Sequence, residues 1–201
     1  MLSMAVLSVV CSFVCLLIVV FYLLRLIDGC RWRHHRDVEN DVGHGLMAAG
    51  MATMLAVGNR PPPSLLVGMG LLFIFATLWW TVRLFVHRPL LALLLGKSEP
   101  HSPVASSAIH ILMQSGMGYM CLLMGSMVLS MSLGARCLTD LFGVAFAVLT
   151  VWYGREVLTD LRSVKKDGLQ LGANLVHVLM SAMMCMMFLN MIAMTMTMIP
   201  T

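Results

Sequence analysis

The sequence predicts an all-α membrane protein. Six transmembrane helices form three parallel helical-hairpin repeats around a pseudo-threefold axis, with both termini outside. Three observations predict it. Of the 201 residues, 60% are hydrophobic and only 11% charged, with a mean hydropathy of +0.91, whereas soluble domains carry about 25% charged residues. Six apolar stretches separate along the chain, near Leu2–Leu24, Val42–Gly58, Leu65–Phe85, Ser106–Met131, Leu138–Tyr153 and Leu169–Ile199. One pattern, H-x2-M-x3-M-x2-M, recurs three times with its histidines 66 and 67 residues apart, and a fixed period of this kind marks an internal repeat.

The first stretch has no basic n-region and no A-x-A-like site before Arg25, so it reads as a retained helix and not a cleaved signal peptide. The second and fifth stretches are at the short end of the roughly 17–25 residues that cross a bilayer. Each is carried by its neighbour in a hairpin. Asp37, Glu39 and Asp41 precede the second, where carboxylates complement a helix N-terminus. Its end is set by Asn59-Arg60-Pro61-Pro62-Pro63, because proline cannot continue a helix. Each odd stretch closes on an aromatic pair and an arginine: Phe21-Tyr22 with Arg25, Trp79-Trp80 with Arg83, Trp152-Tyr153 with Arg155. Rings at headgroup level beside a snorkelling Arg are what an inner membrane interface selects. The repeat units therefore run approximately 1–58, 65–131 and 138–199, within one transmembrane domain covering 1–201.

Orientation follows from Lys and Arg. Arg25, Arg31, Arg33, Arg36, Arg83, Arg88, Lys97, Arg155, Arg162, Lys165 and Lys166 follow the odd helices, and only Arg60 and Arg136 follow the second and fourth. The positive-inside rule then puts both termini on the extracytoplasmic side of the cell membrane and the motif histidines near the cytoplasmic side. The net charge of +4 is not gathered into a nucleic-acid-binding face, so the expected partner is the lipid bilayer. His34, His35, His87 and His101 lie in the inside loops without repeating spacing and read as headgroup-facing. Cys11, Cys15, Cys30, Cys121, Cys137 and Cys185 form no CxxC pair. They point to packing, not to a disulfide framework.

The quartets are His44/Met47/Met51/Met54, His110/Met113/Met117/Met120 and His177/Met180/Met184/Met187. Their offsets fall within an arc of about 80° on a helix. Imidazole and thioether suit cuprous ion. The second stripe continues through Met124, Met127 and Met131, the third through Met191, Met194 and Met198. That heptad spacing implies a left-handed crossing, and 21 residues cover roughly 32 Å. Gly43, Gly45, Gly50, Gly116 and Gly118 permit close helix approach. Three such helices around an axis would stack a histidine layer above layers of three thioethers, and multi-site, moderate binding is what conduction requires. Methionine also fills cores without binding anything. Against that stand the near absence of leucine, the better packer, from these positions and three membrane histidines at one register.

The expected function is cuprous-ion binding for conduction, buffering or delivery, with copper as cargo. The alternative is an accessory or assembly subunit of a larger membrane complex, with partner proteins and a methionine-packed core. A third reading is haem held by His or Met from facing helices. No Ser-His-Asp set, phosphate loop, paired carboxylates or zinc CxxC pattern is present, so no enzyme is expected.

The segment Asp41–Met54, DVGHGLMAAGMATM, and its echoes at His110 and His177 resemble an uncharacterised actinobacterial multi-pass membrane family of unknown function. The likeness in layout covers nearly the whole chain and implies class, not chemistry. The MxxxM pairs Met47/Met51, Met113/Met117 and Met180/Met184 are similar to the pore motif of eukaryotic-type high-affinity copper transporters, trimers with methionine rings on a threefold axis. This chain departs from them in being one polypeptide with six helices and a histidine in each repeat. The parallel is one of ligand geometry.

Overall fold

A computed structural model describes residues 2–32, 38–57, 62–86, 104–125, 133–162 and 168–197. Apart from Pro62 they are helical: α1 (Leu2–Trp32), α2 (Val38–Val57), α3 (Pro63–Val86), α4 (Val104–Gly125), α5 (Leu133–Arg162) and α6 (Gly168–Thr197). Two compact units result, Met1–Val128 and Leu129–Thr201.

Five helices are long and apolar enough to cross a membrane, over Val9–Ile27, Pro63–Val86, Ser106–Gly125, Gly134–Thr159 and Asn174–Ala193. The sixth, α2, does not meet that composition. It starts four residues before the apolar stretch and takes Glu39, Asn40 and Asp41 into its first turn. Its inward side chains are covered by protein, with Glu39, Asp41, His44, Met47, Met51 and Met54 all buried. Hydropathy measures suitability for lipid, and α2 satisfies its polar groups within its own unit instead. The boundary between α2 and α3 falls at the proline run. Pro63 opens α3, where its missing N–H is not needed, and Leu65 and Leu66 donate to the Pro62 carbonyl at 3.0 and 3.3 Å.

The fifth helix is much longer than its apolar stretch, 30 residues from Leu133 to Arg162. Arg155 and Glu156 are exposed on it, and Trp152 Nε1 donates to Glu156 Oε1 one turn on at 2.9 Å. The helix keeps its own hydrogen bonds past the apolar segment, so loss of hydropathy marks the end of the lipid-like surface and not the end of the helix.

In the first unit α1 pairs antiparallel with α2, and α3 with α4. Tyr22 stacks on His44 while Ser12 Oγ donates to the Ala52 carbonyl at 3.1 Å, so numbers rise along one helix as they fall along the other. Across the second seam Trp80 lies on His110, and a Cβ on Gly70 would stand 2.8 Å from Leu122 Cδ2. A larger residue there would have to push the Leu122 side chain aside. In the second unit α5 and α6 pair the same way. Tyr153 stacks on His177, Thr150 Oγ1 donates to Ser181 Oγ at 3.2 Å, and the ring centroid of Phe188 lies 5.5 Å from Phe142 and 5.7 Å from Phe146. Among the described residues, Cys11, Cys121, Cys137 and Cys185 are free thiols.

Candidate functional site

The first two quartets come together in the first unit. His44, Met47, Met51, Met54, His110, Met113, Met117 and Met120 are all buried, none more than 7% exposed. The two histidine rings meet edge to face with centroids 4.4 Å apart. A Cβ on Gly43 would stand 3.1 Å from His110 Nδ1, and one on Gly50 would stand 3.2 Å from the Met117 methyl and 2.5 Å from Phe73 Cζ. The glycines on α2 thus admit both the α4 ladder and the ring from α3.

Each histidine has a fixed place. The His44 ring lies against Tyr22, with centroids 5.1 Å apart and planes 17° apart. Its Nδ1 is 2.7 Å from the Asn40 carbonyl, to which it donates. The His110 ring stacks on Trp80 at 3.9 Å and 8°, and its Nε2 is hydrogen bonded to Asn40 Oδ1. Ser106 Oγ donates to the same oxygen at 3.3 Å. Asn40 therefore holds both rings, one through its backbone and one through its side chain.

Around this pair lies a collar of charge. Arg83 Nη1 donates to Glu39 Oε2 at 2.8 Å, with the two side chains 0% and 6% exposed. Its guanidinium carbon sits 4.6 Å from the centre of the Trp80 ring. Arg25 Nε meets Asp41 Oδ2 at 3.1 Å. Arg83 is thus no snorkelling anchor: its charge is turned inward and paired. The second ring of each aromatic pair departs from the interface reading in the same way. Tyr22, Trp80 and Tyr153 are buried and stack on His44, His110 and His177, while Trp152 remains exposed.

The third quartet lies in the second unit. Met180 and Met184 are buried, His177 and Met187 half-buried. Ser181 Oγ donates to the His177 carbonyl at 2.8 Å. Of the stripe extensions, Met124 and Met191 are half-buried. Met127, Met131 and Met198 lie outside the described residues, as do His34, His35, His87, His101 and Asp37.

Glu39, Asn40, Asp41, Arg25, Arg83 and Gln114 complete the site, although sequence reasoning gave them other roles or none. The available signal was register: Gln114 follows His110 by one turn, and Arg83 follows Trp80 by three residues. Among the described residues no group of three or more His, Cys, Asp or Glu is arranged to hold a metal ion. Methionine sulfur, the other donor type at hand, is soft and suits monovalent copper better than zinc or iron.

Residues 36–191 match the model of a domain of unknown function, DUF5134. The chain belongs to that family. The DUF5134 match begins just before α2 and ends inside α6, so it contains all three quartets and the Glu39–Arg83 pair. Tyr22 and Arg25, on α1, fall before it. Comparison with curated proteins and with solved structures finds no match.

Proposed function

We propose that this DUF5134 protein is a cell-membrane protein that binds cuprous ion through its His/Met face, to conduct, buffer or deliver it. The observation that carries the reading is the burial of eight imidazole and thioether side chains within the first unit, with His44 against His110 across α2 and α4. Methionine sulfur is a neutral, soft donor, and a dry setting excludes the water that would compete with it. His44 and His110 would receive the ion and Met47, Met113, Met51 and Met117 would pass it along. The reading is of a binding protein, with no catalytic step. It extends to the pseudo-threefold arrangement of like-oriented repeats, in which His177, Met180, Met184 and Met187 supply the third stripe, and to termini on the extracytoplasmic side. The resemblance to actinobacterial membrane proteins belongs to the same reading.

Metal analysis of detergent-purified protein, grown with copper and washed under reducing conditions, tests this. Stoichiometric copper is expected, with loss on His44→Ala and His110→Ala together. Absence of copper from the unaltered protein overturns the reading. Loss on His177→Ala as well would favour the threefold arrangement. Labelling of tags at each end in intact cells tests the orientation.

A second reading is favoured by one observation. Both histidines of the first unit are already stacked and hydrogen bonded, as a purely structural pair would be. The chain would then be an assembly subunit with a methionine core. It predicts stable co-purifying membrane partners and full function after Met→Leu changes.

A further inference from the structure

Ser107, His110 and Gln114 follow one another at spacings of 3 and 4 residues on α4, so they share a face over about 10 Å. The same line continues into Met117 and Cys121. All three polar side chains are 1% exposed or less. The Gln114 amide has a defined orientation, because Nε2 donates to the Gly43 carbonyl at 3.2 Å and only the nitrogen can donate. Its Oε1 is thereby turned away from that contact. Neither Gln114 Oε1 nor Ser107 Oγ has a hydrogen-bond partner among the described residues.

Two such groups are costly within one helix. A buried polar atom without a partner costs about 1–3 kcal/mol, and more at membrane depth, where no bulk water reaches it. Native proteins meet this cost with ordered water in polar sites that offer several partners. The local charge argues for a neutral ligand: Glu39 is matched by Arg83 and Asp41 by Arg25, so no unmatched carboxylate in this cluster calls for a cation. A ligand here must donate to Gln114 Oε1 and either donate to or accept from the Ser107 hydroxyl. Water does both.

We infer that the crossing of α2 and α4 binds a short file of water along Ser107, His110 and Gln114. The histidine pair then sits in a hydrated pocket, and the pocket ends where the line changes from oxygen and nitrogen to sulfur at Met117. The wet layer and the dry ladder meet within a single helical turn.

The chain contains two glutamines, Gln114 and Gln170, so selective nitrogen labelling gives two side-chain amide signals, told apart by a Gln170→Glu variant. Metal-free protein in lipid bilayers is examined by solid-state NMR with magnetisation started on water. The Gln114 amide is expected to receive water magnetisation faster than the backbone amides of the same helix. Ser107→Ala, which removes the far anchor of the file, should slow that transfer about two-fold or more. Transfer no faster than to the buried backbone overturns the pocket, and transfer unchanged by Ser107→Ala overturns the file. Since no copper is present, either result is independent of the cuprous reading.

Discussion

Replacing Glu39 with leucine takes away the carboxylate that the buried Arg83 guanidinium donates to. The pair is 2.8 Å apart, with the arginine side chain fully buried and the carboxylate 6% exposed. Removing one partner of such a pair costs about 3–5 kcal/mol, because a buried charge loses its hydrogen-bonded counter-charge. Arginine cannot shed its proton. The face of Trp80 still supports the cation, as it does in the unaltered protein, so it does not offset the loss. At about 2–4 °C per kcal/mol for a chain of this size, Tm should fall by about 6–20 °C. Arg83→Met breaks the same pair from the other side. The double change Glu39→Leu/Arg83→Met exchanges a buried pair for apolar contact and should return to within about 1–2 kcal/mol of the parent. Thermal unfolding of the four proteins in one detergent, followed by near-UV circular dichroism, completes the cycle. A loss below about 1 kcal/mol for Glu39→Leu, the level of an exposed pair, would refute the reasoning.

Gly50→Ala places a methyl 2.5 Å from Phe73 Cζ and should destabilise by about 1–3 kcal/mol through overpacking. Gly68→Ala meets nothing within 4 Å, so the same unfolding assay should show a gain of about 0.5–1 kcal/mol from reduced chain entropy. Asn40→Ala removes the side-chain oxygen bonded to His110 and Ser106. It should cost about 1–3 kcal/mol and move the His110 ring nitrogen signals in NMR, while the backbone contact to His44 survives. Met117→Leu keeps the core volume and should cost under about 1.5 kcal/mol; copper retention should nevertheless drop, and unchanged retention would favour the methionine-core reading.

Apolar length and period made most of the fold legible. The six stretches correspond to six helices, and each motif histidine packs on an aromatic ring of the helix before it. Hydropathy misjudged α2 and α5 for opposite reasons. In α2 the polar first turn is helical because Arg25, Arg83 and His110 satisfy it, partners that lie up to 70 residues away in sequence. In α5 the charged residues from Arg155 to Arg162 extend a helix that no longer needs lipid. The buried His–Met face was legible; the charged collar around it was not. Lys and Arg counts treat every cation near a membrane boundary as a marker of sidedness, which hid the inward turn of Arg83. Nor could an aromatic pair reveal that its second ring, as in Tyr22 and Trp80, covers a histidine.

The pairing of α2 with residues that follow it imposes an order on biosynthesis. When Glu39 leaves the ribosome, Arg83 is still 44 residues from being made, and His110 is 70 residues behind Asn40. Arg25 is the one member of the collar synthesised earlier. Two carboxylates stand in the first turn of α2, and burying a carboxylate before its partner exists is costly. The α1–α2 hairpin therefore reaches its full set of polar partners only once α3 and α4 have been made. Truncation after α2 should leave a fragment that cells degrade, whereas a chain ending after α4 should persist.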